Sequence, residues 1–439
     1  MMVFLSLPEN HPILNGLVQR VPINTINQGV TVSAGQLNLG NNGSLGGGAF
    51  EIDSGALDNV SGSDLTVAPS SIKWGGNFTY VGSANNLDLG RATVTAGGAV
   101  VNVASNTLTA EGSVLGGNLG FTKTGSGTLN LIGSSSDSGA MVVNGGTVNF
   151  GKTSGYVITE SSGMVGLTIN TNGLVVETGN SGQIKHNVGG FAIPVILNSG
   201  ILDLNGKLET VDSLLITNGG TLRNSAGFPT FRVGSVGSYK LTIGGTNCTF
   251  DVTGPELDIA AIVAGNGSLL KTGTGLLLVY SNTTYTGSTI VSAGTLELTY
   301  PSLATNSLVS VASSAMLTLD FSTTNTVGSL VINGTSYPAG VYNASTDPTY
   351  IGGTGSLLVV SSAPPINPLP GTIQVGVSGS TLALSWPTNS GWILQTQTNS
   401  LNVGLGTNWV DVPGSSSTTS TNITIDPLNP TMFFRLRSP

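Results

Sequence analysis

Two short stretches gather most of the side chains that could do chemistry. Asp203, Glu209 and Asp212 fall together with Lys207 among them and Arg223 beyond, and Asp251, Glu256 and Asp258 flank Pro255. Grouped carboxylates can hold Ca²⁺ beside an arginine base for polysaccharide lysis, and paired acids on one face can hydrolyse a glycosidic bond. These acids are scattered along the chain, however, and both groups read as solvated loop edges. His11 and His186 have no Ser or Cys motif beside them, and no G-x-S-x-G occurs. G-G-T-G-S-L at 352–357 lacks the Asp of a Ca²⁺-binding repeat, and the glycines never form G-x-x-x-x-G-K-[ST]. Lys123 and Lys271 read as gatekeepers on exposed β surface. Trp386, Trp392 and Trp409 could build a sugar-stacking platform, but buried tryptophans of a small sandwich are the simpler expectation. Cys248 reads as a small core residue. No catalytic, cofactor-binding or metal-ligating residue is assigned, and no cofactor is expected.

The elements carrying these residues must be strands. The 439 residues hold 13 basic and 21 acidic side chains, only 8% of the chain, for a net charge of −8. Surface helices need charged residues on their outer face, so a helical protein is excluded. A hydrophobic share of 39%, in short alternating runs, argues against disorder. The acidic balance without a basic patch excludes a nucleic-acid partner. One cysteine cannot make a disulfide framework. No stretch approaches the ~18 apolar residues of a membrane helix. Val3–Leu7 is apolar, but no Lys or Arg precedes it and Pro8, Glu9 and His11 follow, so it is not a signal peptide.

Internal repeats set the architecture. F-T-K-T-G-S-G-T-L-N-L (121–131) matches L-L-K-T-G-T-G-L-L-L-V (269–279), with Lys123 and Lys271 148 apart, as are Gly146 and Gly294 downstream. A shorter unit recurs around Gly35, Gly146, Gly200, Gly220 and Gly294. It has apolar residues, a small polar residue two before the Gly (Ser33, Asn144, Asn198, Asn218 or Ser292), then alternating apolar positions. The gaps from Gly146 onward are 54, 20 and 74, multiples of a solenoid-sized unit of roughly 20–27 residues. Each unit reads as strand, tight bend, strand, with Gly taking φ > 0 at the bend and Asn or Ser bonding the turning backbone. Stacking such units would place the Asn residues in ladders and point Leu37, Val148, Leu202, Leu222 and Leu296 inward. The expectation is all-β: a right-handed parallel β-helix of pectin-lyase-like type over 27–362, about 13–16 coils and roughly 60–80 Å long.

The residues also carry a resemblance. Residues 265–298 resemble the autotransporter-associated β-strand repeat, with Lys271, Gly273, Gly275, Asn282, Tyr285, Thr286, Gly287, Gly294, Leu296 and Leu298 in its places. A second copy, 116–150, keeps Lys123, Gly125, Gly127, Leu129 and Leu131 and departs from the pattern at 133–139. The resemblance implies export from a bacterium, an elongated β-helix and an adhesive or structural role.

Residues 363–371, A-P-P-I-N-P-L-P-G, read as a stiff Pro-rich linker after a capping hairpin and closing strand at 329–360. Beyond it, 372–439 offers six short strands separated by turn signals, a small antiparallel β-sandwich. It resembles a module that ends secreted proteins of verrucomicrobia-like bacteria, and it is too short for a transmembrane barrel. Residues 1–26 are an N-terminal segment or cap, and because they hold no targeting signal the gene is expected to begin upstream of Met1. The expected protein is a non-catalytic solenoid at the cell surface or outside the cell, structural or adhesive. Its partners would be surface glycans or other surface components, without nucleic acid and without membrane insertion. The alternative is a carbohydrate-binding or polysaccharide-degrading protein on the same β-helix.

Overall fold

The structure, a computed structural model, describes residues 13–14, 19–20, 29–91, 93–115, 120–137, 139–159, 166–186, 193–234, 240–245, 247–361, 373–386, 392–400, 404–415, 418–425 and 431–437. Their regular structure is entirely strand. No helix among them is long and apolar enough to cross a membrane.

Short alternating strands wind into a parallel β-solenoid of about 13 turns with three flanks. The first flank is a 13-stranded parallel sheet running from Gln19–Arg20 to Thr283–Tyr285. The second runs in parallel from Leu65–Thr66 to Ser329–Ile332, and antiparallel Thr335–Tyr337 extends it to 14 strands. The third flank comes in two pieces. A six-stranded sheet ends at Val114–Leu115, and a seven-stranded sheet begins at Glu209–Val211. Between them, the parallel bridge Ile158–Ile184 is the strand pairing on this flank among the described residues.

Register explains why the stack is specific. On the second flank Leu129, Val148, Val175, Leu202, Leu222 and Phe250 pair in succession. All six are fully buried. A slip of one residue would turn the whole column to solvent, at a cost of about 1.5–3 kcal/mol for each large side chain. Leu37 and Leu296 are buried as well, so the inward parity read from the bend glycines holds in every unit. Val30 and Val32 are also buried, and their strand pairs with Ile13–Leu14.

Gly35, Gly146 and Gly294 have φ of +77°, +65° and +64°, as the bend requires. Gly200 and Gly220 differ, because there Ser199 (+61°), Asn218 (+52°) and Gly219 (+79°) take the left-handed step. These two glycines are required for space instead: a Cβ would meet the Ile169 oxygen at 2.4 Å and the Leu197 oxygen at 2.2 Å. The Asn ladder is present. Asn170, Asn198 and Asn218 each donate to the Asn one coil before, Asn144, Asn170 and Asn198, at 2.7, 2.8 and 2.7 Å.

Near the end of the ladders Gly340–Asn343 pairs antiparallel with Ser356–Val359, which itself pairs parallel with Thr324–Val327. The segment 363–371 lies outside the described residues. Downstream, two three-stranded antiparallel sheets form the small sandwich. One joins Gln374–Ser378, Thr381–Ser385 and Ser420–Thr424, and the other joins Val410–Asp411, Ile393–Thr398 and Met432–Arg437. Leu384, Trp386 and Leu394 are its core.

Candidate functional site

The first group of acids is not a solvated edge. Asp203, Glu209 and Asp212 are all buried, and each serves a different backbone. One oxygen of Asp203 accepts the amides of Asn205 and Ser225 at 2.9 and 3.1 Å and so ties two successive turns. Asp212 accepts the Ile193 amide at 2.9 Å. Glu209 accepts from Gln183 (2.7 Å), Ile184 (3.2 Å) and Thr210 (2.8 Å). Arg223 pairs with Asp251 at 2.8 Å rather than with any of the three. The residues the sequence brings near one another are therefore engaged with different backbone segments.

Lys123 and Lys271 overturn the gatekeeper expectation, because both are fully buried. Lys123 stands between Val101 and Val143 in an apolar column of the first flank, and Lys271 between Phe250 and Val291 on the second. The two repeat copies thus use different flank pairs. Each ammonium is held by three carbonyls of the bend. Lys123 Nζ donates to Thr124, Gly125 and Gly145 at 2.8, 3.0 and 3.1 Å. Lys271 Nζ repeats the pattern with Thr272, Gly273 and Ala293 at 2.8, 2.8 and 3.1 Å. Burial lowers both amines to about 8. The K-T-G-x-G signature is a bend clamp. Parity would have revealed it: in F-T-K-T, Phe121 faces inward, so Lys123 must as well.

Other buried charges escaped the sequence reading, Asp137, Lys152 and Glu177 among them. Lys152 is fully buried and pairs with Asp137 at 2.8 Å while donating to the carbonyls of Gly112 (3.0 Å) and Ile132 (2.9 Å). Burial pushes the Asp137 carboxyl up to about 6, with Lys152 holding it down. Glu177 is fully buried, and neither of its oxygens has a hydrogen-bond partner. Val175 on the same strand is inward, so two-residue parity again marks Glu177.

His11 lies outside the described residues, and His186 is half-buried. The tryptophans do not form a platform. Trp386 and Trp392 pack in the sandwich core, while Trp409 lies under the Arg435 guanidinium, 4.3 Å from its ring centre. Cys248 is buried in the solenoid core.

A group of partly exposed acids and tyrosines lies on the outer face of the seven-stranded sheet. Strand Glu256–Ala260 carries Glu256 and Asp258 outward, and register sets Leu278 and then Glu297 beside Asp258. Tyr280 and Tyr300, at the ends of the neighbouring strands, are 47% and 45% exposed. Asp258, Glu256 and Glu297 raise the Tyr280 hydroxyl, and Glu297 is raised by partial burial and then by Asp320. The face is negative and aromatic. Among the described residues no group of three or more His, Cys, Asp or Glu could hold a metal ion.

Similarity to known proteins agrees with this geometry. The passenger-associated-transport-repeat model matches residues 121–150 and 269–298, the two segments that carry the lysine clamps. Two segments of the chain are thus similar to the passenger-type repeat of autotransporters. It is 29% identical over 265 residues to the adhesin BmaC autotransporter of Brucella suis biovar 1 (strain 1330), covering 57% of this chain. The chain spans 7% of that relative's length. No solved structure matches.

Proposed function

We propose that this chain is a non-catalytic, surface-exposed solenoid that acts in adhesion, with the outer face of the seven-stranded sheet as its contact face. The observation that carries the reading is where the charges go. Asp137, Lys123, Lys152, Asp203, Glu209 and Lys271 are all consumed inside the fold, holding backbone or one another. The half-buried Glu256, Asp258 and Glu297 and the exposed Tyr280 and Tyr300 gather instead on the outer side of one parallel sheet. A catalytic pair needs accessible carboxyls at a fixed separation around a bound substrate. A contact face needs area, rigidity and anchors such as tyrosine. The similarity to a protein named as an autotransporter adhesin supports the same direction.

Glycan binding without cleavage is the second reading, favoured by Tyr280 and Tyr300 standing exposed beside carboxylates that can accept sugar hydroxyls. The test is binding of the purified chain to bacterial and animal cells and to an array of surface glycans, beside an assay for released reducing ends. Adhesion predicts binding that weakens in the Tyr280→Ala/Tyr300→Ala variant without any released sugar. Cleavage of any arrayed polysaccharide would overturn the non-catalytic reading.

A further inference from the structure

The interruption of the third flank coincides with an unusual pair of side chains. Glu177 and Glu209 are both fully buried, and burial and then the charge of Glu209 push the Glu177 carboxyl up. Glu209 has its oxygens engaged by the amides of Gln183, Ile184 and Thr210. Glu177 has no partner among N–H or O–H donors. The other charged groups acting on Glu177 are Lys207, which favours its charge, and Asp203, which opposes it. Two carboxylates cannot both stay ionised in such a place, because each loses water and repels the other. Among the described residues no group of three or more His, Cys, Asp or Glu could hold a metal ion at this pair. A proton resolves the conflict: a neutral Glu177 can donate to the Glu209 carboxylate.

The surroundings give this pair leverage. Gln183 hangs from Glu209 by its amide and exchanges two hydrogen bonds with the Lys152 backbone, both at 3.1 Å. Lys152 in turn holds the carbonyls of Gly112 and Ile132. A chain of buried polar contacts thus runs beside the Ile158–Ile184 bridge between Val114–Leu115 and Glu209–Val211. Side-chain contacts of this kind depend on every member being satisfied.

We propose that the Glu177–Glu209 pair is a proton-held joint, and that the middle of the solenoid opens locally when the pair loses its proton as pH rises. The direction follows from the fold. Burial raises Glu177 well above an ordinary carboxyl and Glu209 to about 7. Folded chain therefore binds more protons than unfolded chain above about pH 4.5, and protection falls as pH rises through 7. Opening would separate two stacks with intact third flanks, so the rod would become jointed without unravelling.

Hydrogen–deuterium exchange of the full chain tests this near pH 5.5 and near pH 8.5, with the chemical exchange rate corrected for pH. Peptides covering 173–186 and 209–212 should lose protection by up to about tenfold per pH unit for each proton released, while peptides in 248–298 do not. Glu177→Gln keeps a donor for Glu209 and should flatten that response. Glu177→Leu, which removes the second carboxyl, is the alternative should the glutamine variant not fold. An equal pH response in both regions, or an undiminished response in the folded variant, would overturn the proposal. Loss of protection on adding EDTA at constant pH would overturn it too, by showing a cation in place of the proton.

Discussion

The ammonium of Lys123 lies 3.1 Å from the carbonyl oxygen of Gly145, 22 residues on and one coil away. That contact joins two turns of the solenoid through a single side chain, and Lys271 makes the equivalent one to Ala293. In both cases the lysine replaces what would be an apolar residue in an interior column, which makes sense only if the bend carbonyls need it.

Lys123→Met should therefore cost about 3 kcal/mol in urea denaturation, because it leaves buried carbonyls without a donor. A methionine of similar length keeps the packing, so the loss measures the hydrogen bonds. A second signature is pH. Both amines sit near 8 in the fold against 10.5 when exposed. The unfolded chain thus binds more protons between these values, and the wild type should gain stability as pH rises from about 8 to about 10.5. Lys123→Met should remove part of that gain, and an unchanged slope would contradict the clamp.

The glycine facing each clamp is fixed twice over. Gly146 and Gly294 have φ of +65° and +64°, and a Cβ there would approach carbonyl oxygens at 2.4 and 2.5 Å. Gly182 and Gly219 have similar φ, +75° and +79°, with nothing within 4 Å of a Cβ. Gly→Ala at the second pair should show backbone strain alone, about 1 kcal/mol. The same change at Gly146 or Gly294 should cost at least about 1 kcal/mol more. Equal losses in the two pairs would mean that the coils relax around the methyl group.

How much of this was legible depends on which physical rule each residue obeys. Leu37, Val148, Leu202, Leu222 and Leu296 follow from two-residue alternation anchored at a glycine, and all are buried. The Asn ladder follows from identical residues at one position of each coil. The buried charges were missed because charge outweighed parity in the reading, although Lys123, Glu177 and Lys271 all occupy inward positions of alternating strands. No local pattern encodes the split of the third flank. Nor does one encode the placement of the two repeat copies on different flank pairs, which only the stacked register reveals. The negative face was half visible: Glu256 and Asp258 stood out together, but Glu297 joins them through strand register 39 residues later.

The ladder offers a positional test. Asn170 both donates to Asn144 and accepts from Asn198, whereas Asn144 only accepts, from Asn170, among the described residues of the ladder. Asn170→Ala should thus lose about 2 kcal/mol and Asn144→Ala about 1 kcal/mol, at a typical net value per hydrogen bond. Similar losses at both positions would show that the ladder does not act as a series of paired amides.

The Asp137–Lys152 pair allows a sharper test, because the two halves of the pair are unequal. Removing the cation leaves a buried carboxylate whose second oxygen has no partner even in the wild type. Lys152→Met should cost about 3–5 kcal/mol near pH 8. Asp137→Asn leaves a cation still held by the Gly112 and Ile132 carbonyls and should cost less. The deficit of Lys152→Met should also shrink in acid. Asp137 sits near 6 in the fold against 3.8 outside it, so the folded state already binds the extra proton over that window. Without Lys152 to hold the charge, the folded value rises further, and lowering the pH toward 5 restores stability by protonating the carboxyl. The double variant Lys152→Met/Asp137→Leu should recover most of the loss at both pH values, as replacing a whole buried ion pair with apolar groups often does. A deficit that stays constant between pH 5 and pH 8 would place the effect in packing and not in the unpaired charge.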